Sequence, residues 1–176
     1  GGFTDCLLRH SVQKAYAVDV GYGQLDYRLR IHPAVVVMER TNARYLGPQR
    51  FDEPLDLVVM DVSFISTALI LPAISPCLKE SGKAVVLIKP QFEAGRALVG
   101  KHGVVRDPKV HVQVLQTAIQ RAQTMGFCVQ GLDYSPITGP EGNIEFLLYL
   151  AKNGSEAAVE AQQVVAAAHA AFAAAD

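Results

Sequence analysis

The sequence has little of several residue types that would commit it to a particular class of protein. It contains no tryptophan and only three cysteines, Cys6, Cys77 and Cys128, which are far apart and form no CxxC pair. The cysteines therefore predict neither a disulfide framework nor a zinc site, and we interpret them as reduced, mostly buried thiols of a cytoplasmic protein. No apolar run reaches the roughly 18 residues of a membrane-spanning helix, and the N-terminus lacks the features of a signal peptide. We predict no metal site and no membrane span.

A large excess of either charge is also missing. The formal net charge is −1, which argues against a protein that binds nucleic acid over its whole surface. The distribution is uneven, because the segment 89–111 carries five basic and two acidic residues. Such a basic loop suits an RNA phosphate backbone at one edge of the molecule, although an ordinary solvated loop would have the same composition.

What the chain does have is hydrophobic residues, which make up 50% of its 176 residues and can bury the core of about one domain. Short apolar runs alternate with helical segments as far as the helix that Asp107 and Pro108 begin, and two further apolar runs then follow in succession. This order predicts an α/β fold, with a doubly wound sheet whose final strand is antiparallel. We place that domain at 1–152 and an alanine-rich C-terminal helix or tail at 153–176.

Local signals refine these elements. Two prolines predict that a helix over 66–78 is kinked or broken. Residues 80–82 have the composition of a turn, the segment 91–106 that of a long irregular loop, and Ser155 is a suitable cap for the last helix. Loops as long as 91–106 are usually functional or disordered.

Three charged residues interrupt or end the apolar runs that the pattern assigns to buried strands. Asp61 and Lys89 come at the carboxyl ends of two such runs, and Glu145 lies inside a third. An unpaired charge in a buried strand is costly, and ligands bind at the carboxyl ends of strands in open α/β sheets. We therefore expect the three side chains to converge at one edge of the sheet. Each of them taken alone is more simply explained as a solvated strand end.

Earlier in the chain, several features are typical of a small-molecule pocket. Gly1 and Gly2 form a glycine-rich turn that runs into a helix, where backbone can approach a ligand closely. Asp19 and Glu39 each follow a short strand, and a carboxylate at such a position commonly binds a ribose hydroxyl. An α/β sheet with acids after two successive strands is the layout of S-adenosylmethionine-dependent methyltransferases.

The sequence also resembles the FtsJ-like ribose 2′-O-methyltransferases, in particular their haemolysin-A-like (TlyA) branch, which modifies ribosomal RNA. The resemblance covers nearly everything up to Leu150, and its motifs together are highly specific. The matching stretches are Gly-Gly-Phe-Thr-Asp at 1–5, Val-Asp-Val-Gly-Tyr-Gly-Gln-Leu-Asp at 18–26, Glu-Arg-Thr-Asn-Ala-Arg at 39–44, Asp-Val-Ser-Phe-Ile-Ser at 61–66, Ile-Lys-Pro-Gln-Phe-Glu at 88–93, Gly-Val-Val-Arg-Asp-Pro at 103–108 and Ser-Pro-Ile-Thr-Gly-Pro-Glu-Gly-Asn-Ile-Glu-Phe at 135–146.

This resemblance implies a Rossmann-like methyltransferase fold, S-adenosyl-L-methionine as cofactor and ribosomal RNA or ribosomal subunits as partners. The family uses a Lys-Asp-Lys-Glu tetrad, of which Asp61, Lys89 and Glu145 match the last three members as catalytic residues. The resemblance further implies cofactor contacts by a set of residues in and after the glycine motif: Gly1, Gly2, Phe3, Thr4, Asp19, Glu39, Asn42 and Asp61.

Relative to that family, the chain begins inside the glycine motif. We therefore expect the first lysine of the tetrad, the first strand of the sheet and an S4-type RNA-binding domain to be absent. On this expectation the chain alone binds cofactor weakly and is not a competent methyltransferase. Two alternatives remain open, namely a catalytically inactive homologue that binds RNA or ribosomes, and a haemolysin. The sequence has no amphipathic hairpin or long apolar stretch suited to a pore, and the acid–lysine–acid set argues against an inactive homologue.

Overall fold

The computed structural model describes residues 1–174 of the chain. Its strands are β1 (Ala15–Val18), β2 (Val35–Met38), β3 (Leu55–Met60), β4 (Leu78–Ile88), β5 (Cys128–Tyr134) and β6 (Phe146–Ala151). Its α-helices are α1 (Gly2–Arg9), α2 (Tyr27–Arg30), α3 (Leu71–Ile74), α4 (Pro90–Glu93), α5 (Pro108–Thr124) and α6 (Ala161–Ala173). Several single 3₁₀ turns lie in the connections between them.

The strands form two sheets. β1 and β2 pair in parallel, and the second sheet has the order β3-β4-β6-β5. Within that sheet β3 is parallel to β4, whereas β6 is antiparallel to both β4 and β5. The predicted α/β fold with an antiparallel final strand is therefore confirmed. In the described part of the chain β1 and β3 each pair on one side only.

The core lies on β4 and β6, because alternate residues of both strands point to the same buried face. Ala84, Val86 and Ile88 of β4 are at most 1% exposed, and they pair across the sheet with Leu150, Leu148 and Phe146 of β6. The helical spacing of Val110, Val114, Leu115, Ala118, Ala122 and Met125 predicts one buried face for α5. Four of them, Val110, Val114, Leu115 and Ala122, are buried and cover this side of the sheet. Asp107 caps that helix, since its carboxylate accepts a hydrogen bond from the amide of Lys109 at 2.8 Å.

The alanine-rich helix α6 is a packing helix rather than a free tail. It buries Val165 and Ala168 against the core, and a pair of histidines joins it to α5. The Nδ1 atom of His111 lies 2.9 Å from the Nε2 atom of His169, and the Nε2 atom of His111 lies 3.0 Å from the carbonyl oxygen of Val105. Burial lowers the pKa of His111, so its imidazole is held in the neutral form.

Some local expectations are confirmed and others are wrong. The helix predicted over 66–78 is indeed broken, into a 3₁₀ turn, α3 and a second 3₁₀ turn. The turn predicted at 80–82 is wrong, because these residues lie within β4, where the register against β3 is irregular. Ser155 does not cap the last helix. The chain from Glu156 stays extended along β5, with the amide of Ala157 donating to the carbonyl of Val129 at 2.8 Å, and α6 begins only at Ala161.

The cysteines are less buried than the composition suggests. All three are free thiols, but only Cys77 is buried, whereas Cys128 is intermediate and Cys6 is exposed on α1. Burial raises the pKa of the Cys77 thiol, which makes this cysteine unreactive at neutral pH.

One buried side chain holds the long loop before α5 against the segment that leads into β6. Asn143 is 2% exposed. Its Oδ1 atom accepts from the amide of Val105 at 3.0 Å, and its Nδ2 atom donates to the carbonyl of Gly103 at 3.0 Å. The amide group of Asn143 therefore replaces the backbone partners that this part of the loop lacks.

We predict that Asn143→Ala lowers the free energy of unfolding by about 2–5 kcal/mol, because it leaves two backbone groups of the loop without their partner. Urea denaturation followed by circular dichroism measures this change. The matched control is Asn153→Ala, since Asn153 is exposed and donates to the carbonyl of Glu80 at 2.9 Å. A loss no larger than that of the control would show that water replaces Asn143.

Candidate active site

The structure brings the three predicted charged residues to one edge of the four-stranded sheet. Asp61 directly follows β3 and Lys89 directly follows β4, so both lie at carboxyl ends of parallel strands. The sequence analysis expected Glu145 to lie inside a strand, and this is wrong, because Glu145 immediately precedes β6. Because β6 runs antiparallel to β4, its amino end lies at the same edge as the carboxyl ends of β3 and β4.

Lys89 and Asp61 form an ion pair. The Nζ atom of Lys89 lies 2.6 Å from Oδ1 of Asp61, and it also donates to the hydroxyl of Ser63 at 3.1 Å. The Lys89 side chain is only 13% exposed, whereas that of Asp61 is 52% exposed. The ammonium group is thus held at a fixed point of the sheet edge, and the carboxylate that holds it faces solvent.

Glu145 is a buried acid, and the charges of both Asp61 and Lys89 act on its pKa. It is 8% exposed. Burial raises the pKa of Glu145, the negative charge of Asp61 raises it as well, and the charge of Lys89 and the side-chain amide of Gln91 lower it. Across the described residues, the buried Oε1 atom of Gln91 has no hydrogen-bond partner. The site therefore holds a buried carboxyl and a buried carbonyl oxygen, both of which can accept a hydrogen bond from a further donor.

The predicted cofactor residues at the start of the chain lie in the first turn of α1. Gly1 is the N-cap of this helix, and Gly2, Phe3 and Thr4 follow it. A Cβ atom on Gly1 would lie 2.6 Å from Cδ1 of Leu29, whereas one on Gly2 would meet nothing within 4 Å. A side chain at Gly1 would therefore have to displace the end of the Leu29 side chain, whereas the space beside Gly2 is open to a ligand.

The other cofactor candidates differ in how far their side chains are already occupied. Asp19, directly after β1, is exposed. Its Oδ1 atom accepts from the amide of Gly21 at 2.7 Å, and among residues 1–174 its Oδ2 atom has no hydrogen-bond partner. Glu39 is 10% exposed and engages both oxygens in an ion pair with Arg30, and it also accepts from the amide of Gly23 at 2.8 Å. Arg30 holds the pKa of the Glu39 carboxyl below its ordinary value. Asp19 is thus free to accept from a ligand, whereas Glu39 shapes the turn beside it.

Asn42 has a local structural role. Its Oδ1 atom accepts from the amide of Arg44 at 3.0 Å and caps a 3₁₀ turn. Nearby, the guanidinium of Arg40 lies 4.7 Å from the ring centre of the exposed Tyr22. This cation–π pair places an aromatic face and a positive charge next to the turn that follows Asp19.

The sequence analysis did not single out Phe64 as a functional residue. The structure shows it 90% exposed, with a left-handed backbone (φ 64°), just beyond Asp61 and Ser63. Its ring centre lies 5.0 Å from that of Phe92, which follows Lys89. A non-glycine residue rarely adopts such a φ value, and strained residues of this kind concentrate at functional sites. No sequence pattern signals this conformation.

The basic segment after α4 is irregular, as predicted, with 3₁₀ turns at Arg96–Leu98 and Lys101–Gly103. Arg96, Lys101, Arg106 and Lys109 are all exposed, and none of the ion pairs found among the described residues involves them. Their charges are therefore available to an external anion.

Residues 1–174 contain neither a metal-binding cluster nor a membrane-spanning helix. No group of three or more histidine, cysteine, aspartate or glutamate side chains is arranged to hold a metal ion. No helix there has the length and apolar character needed to cross a membrane.

Comparison with known proteins gives a consistent result. The family model of the FtsJ-like methyltransferases matches residues 1–152. YqxC of Bacillus subtilis is 53% identical over 151 residues, which are 85% of this chain and 54% of that protein. The 16S/23S rRNA (cytidine-2′-O)-methyltransferase TlyA of Mycobacterium tuberculosis is 47% identical over 150 residues, 85% of this chain and 56% of that protein. The chain thus spans about half the length of these curated relatives.

A solved Streptococcus thermophilus structure of hemolysin type superposes with a TM-score of 0.94 at 46% identity. The superposition covers 99% of this chain and 65% of that one. The overall fold of this chain is thus the same as that of a solved structure of a relative.

We predict that Glu145→Gln raises stability at neutral and alkaline pH. Since the pKa of Glu145 is raised in the folded state, the folded protein binds more protons than the unfolded chain above about pH 4.3, the ordinary glutamate value. Wild-type stability is therefore fully present below that value and is lost as pH rises through the raised pKa. The uncharged glutamine avoids this loss.

Urea denaturation at pH 4 and pH 8 measures the effect, with the exposed Glu141→Gln as control. We expect the two wild-type midpoints to differ by more than those of Glu145→Gln, after the control has been subtracted. An identical pH dependence in wild type and Glu145→Gln would contradict the assignment.

Proposed function

The chain belongs to the FtsJ-like methyltransferase family, and from this premise we propose that it methylates ribose 2′-hydroxyl groups of ribosomal RNA, with S-adenosylmethionine as cofactor. The observation that carries the proposal is the meeting of Asp61, Lys89 and Glu145 at one sheet edge. Ribosomal RNA as substrate is supported by the names of the relatives, and it implies a cytoplasmic protein. The catalytic roles below are our own assignment.

The residues along the carboxyl edge of β1 fit this cofactor. Asp19 has a carboxylate oxygen free to accept from the ribose hydroxyls of the cofactor. The open space beside Gly2 would let the cofactor lie against the backbone at the start of α1. Phe3, Thr4, Glu39 and Asn42 are further candidates, of which Glu39 and Asn42 are the weaker because they already have protein partners. When bound, the cofactor would supply an activated methyl group.

Lys89 would act on the ribose hydroxyl. A 2′-hydroxyl is a poor nucleophile until its proton is removed or its developing negative charge is stabilised. The ammonium group of Lys89, fixed by Asp61 and Ser63 and largely buried, can stabilise that charge at a defined point. Glu145, whose pKa is raised, can accept a proton from the same place.

The RNA would approach from the side of Phe64 and the basic loop. Phe64 presents an exposed ring beside the ion pair, and nucleic-acid bases stack on exposed aromatic rings with about 1–3 kcal/mol per base. The four exposed cations of the loop would contact phosphates. This arrangement supports a single-stranded or locally unstacked nucleotide as the target.

The direct test of the proposal uses the full natural protein, the cofactor with a labelled methyl group, and each purified ribosomal subunit in turn. We expect label in the RNA of at least one subunit, at a 2′-oxygen. Label in protein or in a base would overturn the proposed reaction, and its absence from both subunits would favour an inactive RNA-binding homologue.

We predict that Lys89→Ala lowers the rate of methyl transfer by at least about 10²-fold, because the charge that stabilises the ribose oxygen is lost. Cofactor affinity, measured by calorimetry, should stay within about threefold, whereas Asp61→Ala should weaken both binding and turnover. The control is Lys79→Ala, because Lys79 lies in β4, the strand that Lys89 follows, and is paired with Asp56 at 2.8 Å. Near-normal turnover of Lys89→Ala would remove this residue from the mechanism.

We predict that the double variant Arg96→Glu and Lys101→Glu weakens RNA binding and flattens its dependence on salt, because fewer phosphate contacts release fewer counterions. Filter binding at several salt concentrations gives the slope. The control is the double variant Arg9→Glu and Lys79→Glu, which has the same change of charge outside the loop. An unchanged slope would leave the loop as ordinary solvated surface.

A further inference from the structure

Glu93 is a carboxylate at the end of α4, four residues after Lys89, that nothing described so far explains. Its side chain is 7% exposed. Burying a charge of this kind is unfavourable unless hydrogen bonds replace the lost water. The partners of Glu93 therefore indicate what this acid is for.

All three donors to this carboxylate come from one place. Its Oε2 atom accepts from the hydroxyl of Ser66 at 2.6 Å, and its Oε1 atom accepts from the amide and the hydroxyl of Thr67 at 2.8 and 2.9 Å. The nearest cation, Arg121 of α5, is 4.0 Å away. Ser66 and Thr67 begin the 3₁₀ turn that ends the loop after β3.

That loop carries the exposed side of the active site. Between Met60 and Ser66 it presents Asp61, which holds Lys89, and then Ser63 and the left-handed Phe64. Beyond the last β3–β4 pair, Met60 with Val86, no sheet hydrogen bond fixes it. The Phe64–Phe92 ring contact and the Glu93 hydrogen bonds tie the loop to α4, and both come from the segment after Lys89.

We infer that Glu93 is a positioning residue, whose carboxylate clamps the loop Asp61–Ser66 to α4 and so keeps Asp61, Ser63 and Phe64 in place relative to Lys89. The inference rests on the proposed function for its catalytic consequence. The clamp joins the end of α4 to the loop after β3, because Glu93 lies 27 residues from Ser66 and 26 residues from Thr67 in sequence. Because a misplacement of about 1 Å can reduce a rate by about 10²-fold, this clamp would set turnover without touching the substrate.

The experiment uses Glu93→Ala and Glu93→Gln in the full natural protein, with Thr67→Val as a milder variant that removes only one hydroxyl donor. The matched control is Glu156→Ala, because Glu156 also accepts from a backbone amide, that of Val129 at 3.0 Å, but lies away from the loop. Amide hydrogen exchange of residues 62–67, measured without cofactor or RNA, reports on the clamp itself.

We expect faster exchange throughout this segment in Glu93→Ala, smaller increases in Glu93→Gln and Thr67→Val, and none in the control. We expect kcat/KM for RNA to fall by about 30-fold or more in Glu93→Ala and to recover partly in Glu93→Gln, which keeps the shape and one acceptor. Cofactor affinity should stay within about threefold. Adding Phe64→Ala to Glu93→Ala should have less effect than Phe64→Ala has alone, since the ring is already displaced.

The outcomes separate the two hypotheses. Unchanged exchange at 62–66 in both Glu93→Ala and Thr67→Val overturns the clamp, as does faster exchange with unchanged turnover in an active enzyme, or strict additivity with Phe64→Ala. If the wild type methylates no RNA, the proposed function fails and the exchange data alone decide on the clamp. If Glu93→Ala does not fold, Thr67→Val and Glu93→Gln provide the same comparison.

Discussion

The candidate site depends on the position of β4 between a parallel and an antiparallel neighbour. Strand direction decides which ends of the chain meet, so this arrangement alone brings the carboxyl ends of two strands and the amino end of a third to one edge. The charged residues do not assemble by mutual attraction; the backbone ladders place them. Since side chains alternate with a period of two, a slip of one residue in either ladder would turn Phe146 and its neighbours away from the core.

The site accommodates ionisable side chains near the buried sheet in three different ways. Lys89 is nearly enclosed and has an exposed acid as partner, whereas Glu145 is nearly enclosed and has its pKa raised instead. Glu93 follows a third route, with three hydrogen-bond donors from one loop. Buried charges of this kind are seldom favourable for stability alone. Their concentration within one edge, beside the strained backbone of Phe64, supports a functional origin.

The sequence was informative where a local rule operates. Helical periodicity identified the buried face of α5, and the cost of a charge in an apolar run identified Asp61, Lys89 and Glu145. Other features depend on contacts between distant residues or on single dihedral angles. The exposure of Phe64 could not be predicted, because its left-handed φ cannot be read from an apolar pattern. The partners of Glu93, Ser66 and Thr67, lie in the loop after β3, far from it in sequence. Residues 80–82 have the composition of a turn, but they lie within β4, at the point where its register against β3 is irregular.

The division of the strands into two sheets has a consequence for how the molecule opens. No ladder hydrogen bond joins β1 to β3 in the part of the chain that the structure describes, so the two sheets are not obliged to unfold as one cooperative unit. β1 and β2 are four residues each and pair only with one another, whereas β4 has partners on both sides. The pair that carries Asp19 thus has fewer ladder hydrogen bonds to hold it than the second sheet has, and a ligand held there would stabilise it by mass action. Ligand binding and local folding would then be a single equilibrium.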